Sequence, residues 1–180
     1  MTAKDNDNPF WTWSLEVYER LGARNRLIYL QDDFGFDVNI ALWCCWRARE
    51  GETLGEDAVR SVHRACAEWS EGVIEPLREA RINAKEGSPE LYAKIKDAEL
   101  AAERYEQDIL FRLSRNSAPI EFDAKLAAAK TNLSLYAALV DAPRRHGFSS
   151  ALLRDLIDHI FVTSPKTGDR FEIGDGNEQD

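Results

Sequence analysis

Apolar positions in this chain recur mostly at three- and four-residue spacing, the period that lays one stripe along a helix, and most stripes sit between a capping residue and a stop. Asn8-Pro9 offers an N-cap followed by a first-turn proline, which predicts a helix to about Leu21 stopped by Gly22. Ala23 to Phe34 forms a second, with Leu27, Ile28, Leu30 and Phe34 roughly on one face before Gly35. Asp37 caps a third helix to Glu50, with Gly51 as a left-handed stop. Its run Val38, Ile40, Ala41, Leu42, Trp43, Cys44, Cys45, Trp46 is apolar on nearly every side, so it belongs at the centre of the core.

From Glu56 to Lys85 a stripe of Val59, Val62, Ala65, Cys66 and Trp69 predicts a long amphipathic helix, kinked or split near Gly72 and Pro76. Ser88-Pro89 opens a charged helix to about Arg115, whose expected apolar face is Leu91, Ile95, Leu100, Tyr105, Ile109 and Leu113. Asn116 to Pro119 is a turn, Phe122 to Val140 an alanine-rich helix, and Ser149 caps a last helix through Leu152, Leu153, Leu156, Ile157, Ile160 and Phe161. With no repeat and no sustained alternation, the expectation is an all-α, single-domain bundle of about six to eight helices over residues 8–163. It is flanked by a flexible stretch 1–7 and a disordered acidic tail 164–180.

Charge narrows the partners. Thirty-two acidic residues against 23 basic ones give a net charge of −9, which repels a phosphate backbone, and Arg144-Arg145-His146 is too small a basic patch to offset it. No nucleic acid and no membrane partner is expected, the polar N-terminus lacks a signal's apolar stretch, and three cysteines suit a reducing cytoplasm.

Candidate chemistry concentrates at Gln31-Asp32-Asp33-Phe34-Gly35-Phe36-Asp37-Val38-Asn39, three carboxylates and two amides at a helix junction. Three readings stay open: an ordinary cap with solvated aspartates, an aspartate-rich magnesium-diphosphate site, or a polar pocket or partner surface lined by Gln31, Asp32, Asp37 and Asn39. A second acidic set, Glu68, Glu71, Glu99, Glu103 and Glu106, has spacings compatible with metal but equally with exposed faces paired to Lys or Arg. His63 and Cys66 lack further zinc-type partners, and Asp155 with His159 reads as a helix-face pair. There is no nucleophile elbow, phosphate loop or dinucleotide fingerprint. No catalytic residue, metal or cofactor is therefore assigned. Of five tryptophans, Trp11 and Trp69 are expected to be partly exposed, where an indole serves a cavity or an interface.

Asn8-Pro9-Phe10-Trp11, Ser14, Tyr18, Leu30-Gln31-Asp32, Gly35, Asp37-Val38-Asn39, Trp46, Trp69 and Pro76-Leu77-Arg78 together resemble a proteobacterial family of small proteins of unknown function, over roughly residues 8 to 110. The resemblance implies a bacterial, cytosolic, helical protein and no particular reaction. It places any ligand or partner surface at Gln31, Asp32, Asp37 and Asn39, with Trp11 and Arg78 nearby, to which Trp69 and Glu103 are added from the aromatic and acidic patterns. The leading expectation is a non-enzymatic protein-binding or regulatory module with an unidentified protein partner. The rival is a small-molecule or magnesium-phosphate binder, or a metal-dependent hydrolase, and the enzyme reading gains if the Asp32–Asn39 junction faces Glu99 and Glu103 across a cleft.

Overall fold

The computed structural model describes residues 8–114 and 122–162, and no strand occurs among them. The elements are α1 (Pro9–Glu19), α2 (Leu21–Phe34), α3 (Val38–Arg49), α4 (Glu56–Trp69), α5 (Glu75–Ala84), α6 (Pro89–Arg112), α7 (Phe122–Leu139) and α8 (Ser150–Ile157). The stretches expected to be flexible, turn-forming or disordered at either end and around Pro119 lie outside the described residues. No helix among the described residues is long and apolar enough to cross a membrane.

α3 is the hub, as its composition predicts. Every residue from Asn39 to Ala48 is buried, and the helix packs against α7 most extensively and also against α1, α2 and α6. Burying so many large side chains in one element supplies much of the apolar contact that holds the bundle. Two polar side chains of α7 serve its ends. Asn132, wholly buried, donates from Nδ2 to the carbonyls of Cys44 (3.0 Å) and Glu52 (3.1 Å) and accepts from the Leu54 N–H (2.8 Å). Tyr136 Oη accepts from the Asp37 N–H at 2.9 Å.

The caps at Asn8, Asp37 and Ser88 form as expected, each side chain accepting from backbone N–H groups of the first turn. Gly35 (φ 71°) and Gly51 (φ 97°) take the left-handed stops after α2 and α3. Gly22 differs from expectation. The chain breaks at Arg20, whose extended backbone separates α1 from α2, and Gly22 lies inside α2. The His159 ring lies against it, and a Cβ there would collide with His159 Cδ2.

The long stretch after Gly55 splits where Gly72 and Pro76 predict. Between α4 and α5 a single wide π turn spans Ser70–Ile74, closed by the Glu75 N–H on the Ser70 carbonyl. Pro76 has no N–H to continue the ordinary ladder, so the backbone reorganises at that point. α5 then returns against α6 as an antiparallel hairpin, with Arg81 opposite Glu99 and Arg78 opposite Glu103.

α6 does not bury the face its apolar residues suggest. Leu91, Leu100, Tyr105 and Leu113 are exposed, whereas Glu99, Ala102, Glu106, Gln107 and Leu110 are buried. The helix turns its carboxylates and amides inward because the arginines of α5 and Asn39 of α3 meet them there, and buried polar groups are tolerated where they find partners.

Candidate functional site

The inward polar face of α6 forms one wall of a cavity of about 340 Å³. α1 contributes Trp11, Ser14, Leu15 and Tyr18, at the three- and four-residue steps that share one side of a helix. α2 contributes Ile28, Gln31 and Asp32; α3, Val38, Asn39 and Leu42; α5, Arg78, Arg81 and Ile82; α6, Glu99, Leu100, Glu103 and Gln107. Leu15, Tyr18, Ile28, Ile82 and Leu100 remain exposed and make an apolar mouth above a polar floor.

The floor is a directed hydrogen-bond chain. Asn39 Nδ2 donates to Glu106 Oε2 at 2.7 Å, and Gln107 Nε2 donates to Asn39 Oδ1 at 2.7 Å. All three residues are buried, Glu106 at 0% exposure. Four buried side-chain atoms among the described residues have no partner, and three belong to this region: Gln107 Oε1, Ser14 Oγ and Glu106 Oε1. Two of these residues, Ser14 and Gln107, line the cavity. Stranded polar atoms of this kind cost stability unless something else bonds them.

On the α5 side, Arg78 Nε lies 3.3 Å from Glu99 Oε1 and Arg78 NH2 3.4 Å from Glu103 Oε1, while Arg81 holds both oxygens of Glu99. Both guanidiniums are thus engaged with carboxylates. Burial pushes the Glu103 carboxyl up, Arg78 opposes the shift, and Glu99 and Asp37 add to it. The Glu106 carboxyl is pushed up to about 8, first by burial and then by Asp37, with the Asn39 hydrogen bond opposing. Tyr18 is raised too, by burial first and then by Glu103, against Arg24, Arg78 and Arg81.

Of the residues singled out from sequence, Trp11, Gln31, Asp32, Asn39, Arg78 and Glu103 converge on this cavity from five helices. Asp37 and Trp69 do not line it. Asp37 Oδ1 caps α3 through the Asn39 and Ile40 N–H groups, and its Oδ2 accepts from Ser70 Oγ in the π turn. Trp69 donates from Nε1 to the Ala102 carbonyl and packs on Tyr105 at 4.6 Å. Trp11 and Trp69 are indeed the partly exposed tryptophans. Sequence reasoning missed Gln107 and Arg81 as site residues, and left Ser14 and Tyr18 inside a family pattern without a role. The signal for the α1 face was available in the spacing of Trp11, Ser14 and Tyr18; Gln107 had none beyond its place one residue after Glu106.

The acidic sets do not assemble into a metal centre. Glu68 and Glu71 are exposed, Glu99 and Glu103 are bound to arginine, and no group of three or more His, Cys, Asp or Glu side chains placed to hold a metal occurs among the described residues. Cys44, Cys45 and Cys66 are free and buried, and burial pushes each thiol up, so none is poised as a thiolate. A second cavity of about 560 Å³ lies between α3 and α4, but its principal polar groups are already paired: Arg47 with Glu52, and Trp43 Nε1 with Ser114 Oγ.

No curated protein and no solved structure matches the chain. A family match covers residues 9–110, which holds every residue that lines the cavity. The chain therefore belongs to the family of proteins of unknown function DUF2390.

Proposed function

We propose that this protein binds a small organic molecule in the cavity between α1, α2, α3, α5 and α6. The observation that carries the reading is a pair of buried atoms on cavity-lining side chains, Ser14 Oγ and Gln107 Oε1, that meet no protein group. Concave, largely apolar sites with a few converging polar groups are the usual form of a ligand pocket, and 340 Å³ falls in the range such pockets occupy. Asp32 and Asn39 line the cavity together with Glu99 and Glu103, a convergence that supports a bound ligand over a purely surface-bound partner. The magnesium-phosphate and hydrolase versions of this reading lose ground, because the carboxylates they need are held by Arg78 and Arg81.

A thermal-shift screen of the purified chain against a metabolite panel tests this, with Leu100→Trp as the control. Leu100 is 45% exposed at the mouth, so a larger ring there leaves the fold intact and obstructs entry. A ligand-dependent rise in midpoint that Leu100→Trp abolishes supports the pocket, since binding the folded state must stabilise it. A flat response across the panel counts against it.

A second reading keeps the protein partner. The exposed apolar mouth of Leu15, Tyr18, Ile28, Ile82 and Leu100 is a surface on which a partner's side chain would dock. Capture of one specific partner by the wild-type chain and its loss in Leu100→Trp, with no small molecule active in the screen, would favour that reading.

A further inference from the structure

We propose that the ligand of this cavity is an organic cation, a protonated amine carried on an apolar or aromatic body; the proposal rests on the pocket reading above. Polarity is dictated from the inside outward. Glu106 Oε2 accepts from Asn39 Nδ2, which leaves Asn39 Oδ1 facing Gln107. Gln107 must then spend its NH2 on Asn39, because the opposite orientation would set two carbonyl oxygens against each other. What remains for the cavity is Gln107 Oε1, an acceptor without a donor. Gln107 Oε1 thus joins the Glu103 and Asp32 carboxyls as an acceptor in the lining of the cavity.

An anionic ligand meets the reverse situation. The cations that line the cavity are Arg78, paired with Glu99 and Glu103, and Arg81, paired with Glu99, so an anion reaching either would meet a neighbouring carboxylate. Charge points the same way. Asp32, Glu99 and Glu103 line the cavity, with Asp37 close behind, against these two guanidiniums. Arg24 and Arg104 are near Tyr18 and Trp11 but are not among the lining residues. A neutral donor would satisfy Gln107 and leave that excess of carboxylate unanswered; an ammonium answers both. Trp11, Leu15, Ile28 and Ile82 then cover the apolar body, with Tyr18 as a second aromatic residue in the lining.

Three probes of matched shape separate the possibilities: phenethylamine, 2-phenylethanol and 3-phenylpropionate, titrated calorimetrically into the full chain at pH 7. The amine is expected to bind about tenfold or more tightly than the carboxylate and several-fold more tightly than the alcohol. Glu103→Gln and Asp32→Asn should each weaken the amine about three- to tenfold without changing the alcohol, and Leu100→Trp should abolish binding of the amine. Carboxylate binding as tight as the amine's overturns the inference while leaving the pocket in place. Equal affinity for amine and alcohol overturns it too, since charge would then play no part, as does amine binding that Leu100→Trp leaves untouched. Silence from all three overturns the amine assignment, and the metabolite screen then decides whether the pocket reading falls with it.

Discussion

Gln107 Nε2 donates to Asn39 Oδ1 at 2.7 Å, a bond that helps tie the N-terminus of α3 to the C-terminal half of α6, 68 residues away. Asn39 is the joint of the chain: it accepts from Gln107 and donates to Glu106. Asn39→Ala would strand Gln107 Nε2 and Glu106 Oε2 in a buried setting, and a loss of about 2–4 kcal/mol is expected in urea unfolding. A loss below roughly 0.5 kcal/mol, the range of an ordinary surface substitution, would mean that the chain of amides is not formed in solution.

Glu106 predicts how stability depends on pH. Its carboxyl is pushed up to about 8 in the folded protein, from an ordinary value near 4.5, mainly by burial. Between these two values the unfolded chain has released the proton while the folded chain still holds it, so the folded state binds more protons and its stability falls as pH rises. This contribution is fully present below about pH 4.5 and lost as pH climbs through about 8. Glu106→Gln should flatten that slope, leaving the variant more stable than wild type above pH 8 relative to their difference at pH 5. Parallel slopes for the two proteins would show that Glu106 is not the group responsible.

Asp37 works at two places, as the cap of α3 and as a charge beside Glu106. Asp37→Ala removes the acceptor of the Asn39 and Ile40 N–H groups and of Ser70 Oγ, and should cost about 1–2 kcal/mol. Asp37→Asn keeps a capping oxygen and loses the charge. It should therefore cost less than the alanine variant while shifting the upper end of the Glu106-dependent slope to lower pH, because Asp37 is the largest charge raising that carboxyl. Equal losses for the two variants would show that the charge, not the cap, matters to stability.

Gly22 and His159 form a close contact whose sign can be reversed. Gly to Ala within a helix is ordinarily favourable by about 1 kcal/mol. Here the new methyl would meet the His159 ring, which is itself held by Nδ1 at 2.8 Å from the Asp155 carbonyl, so Gly22→Ala should destabilise by about 1–3 kcal/mol. In a His159→Ala background the same change should become neutral or stabilising. A double-mutant cycle with no coupling would show that the ring moves aside freely.

What could be read in advance follows a physical division. Helix ends at Asn8, Asp37 and Ser88 were legible because a cap is a local bargain between one side chain and its own first turn. The central place of α3 was legible because a helix apolar all round has nowhere else to go. The buried face of α6 was not, since hydrophobicity alone selects Leu91, Leu100 and Tyr105, and only partners on α5 and α3 make Glu99, Glu106 and Gln107 the better residues to bury. Gly22 misled for the same reason, as its neighbour His159 lies 137 positions on, a distance no local pattern crosses. Trp11, Gln31, Asn39, Arg78 and Glu103 could be named as candidates one by one, but that they share a single cavity is a property of the packing.

The wide turn at Ser70–Ile74 sets the azimuth of everything that follows it. Each residue of an ordinary helix advances about 100° around the axis, so the extra residue held in a π turn dials α5 round by about that angle relative to α4. Arg78 and Arg81 reach Glu99 and Glu103 only at the resulting setting. The turn is thus a phase element: take out one residue there, and the same two arginines would sweep out of the cavity toward solvent, with no change to any residue that lines it.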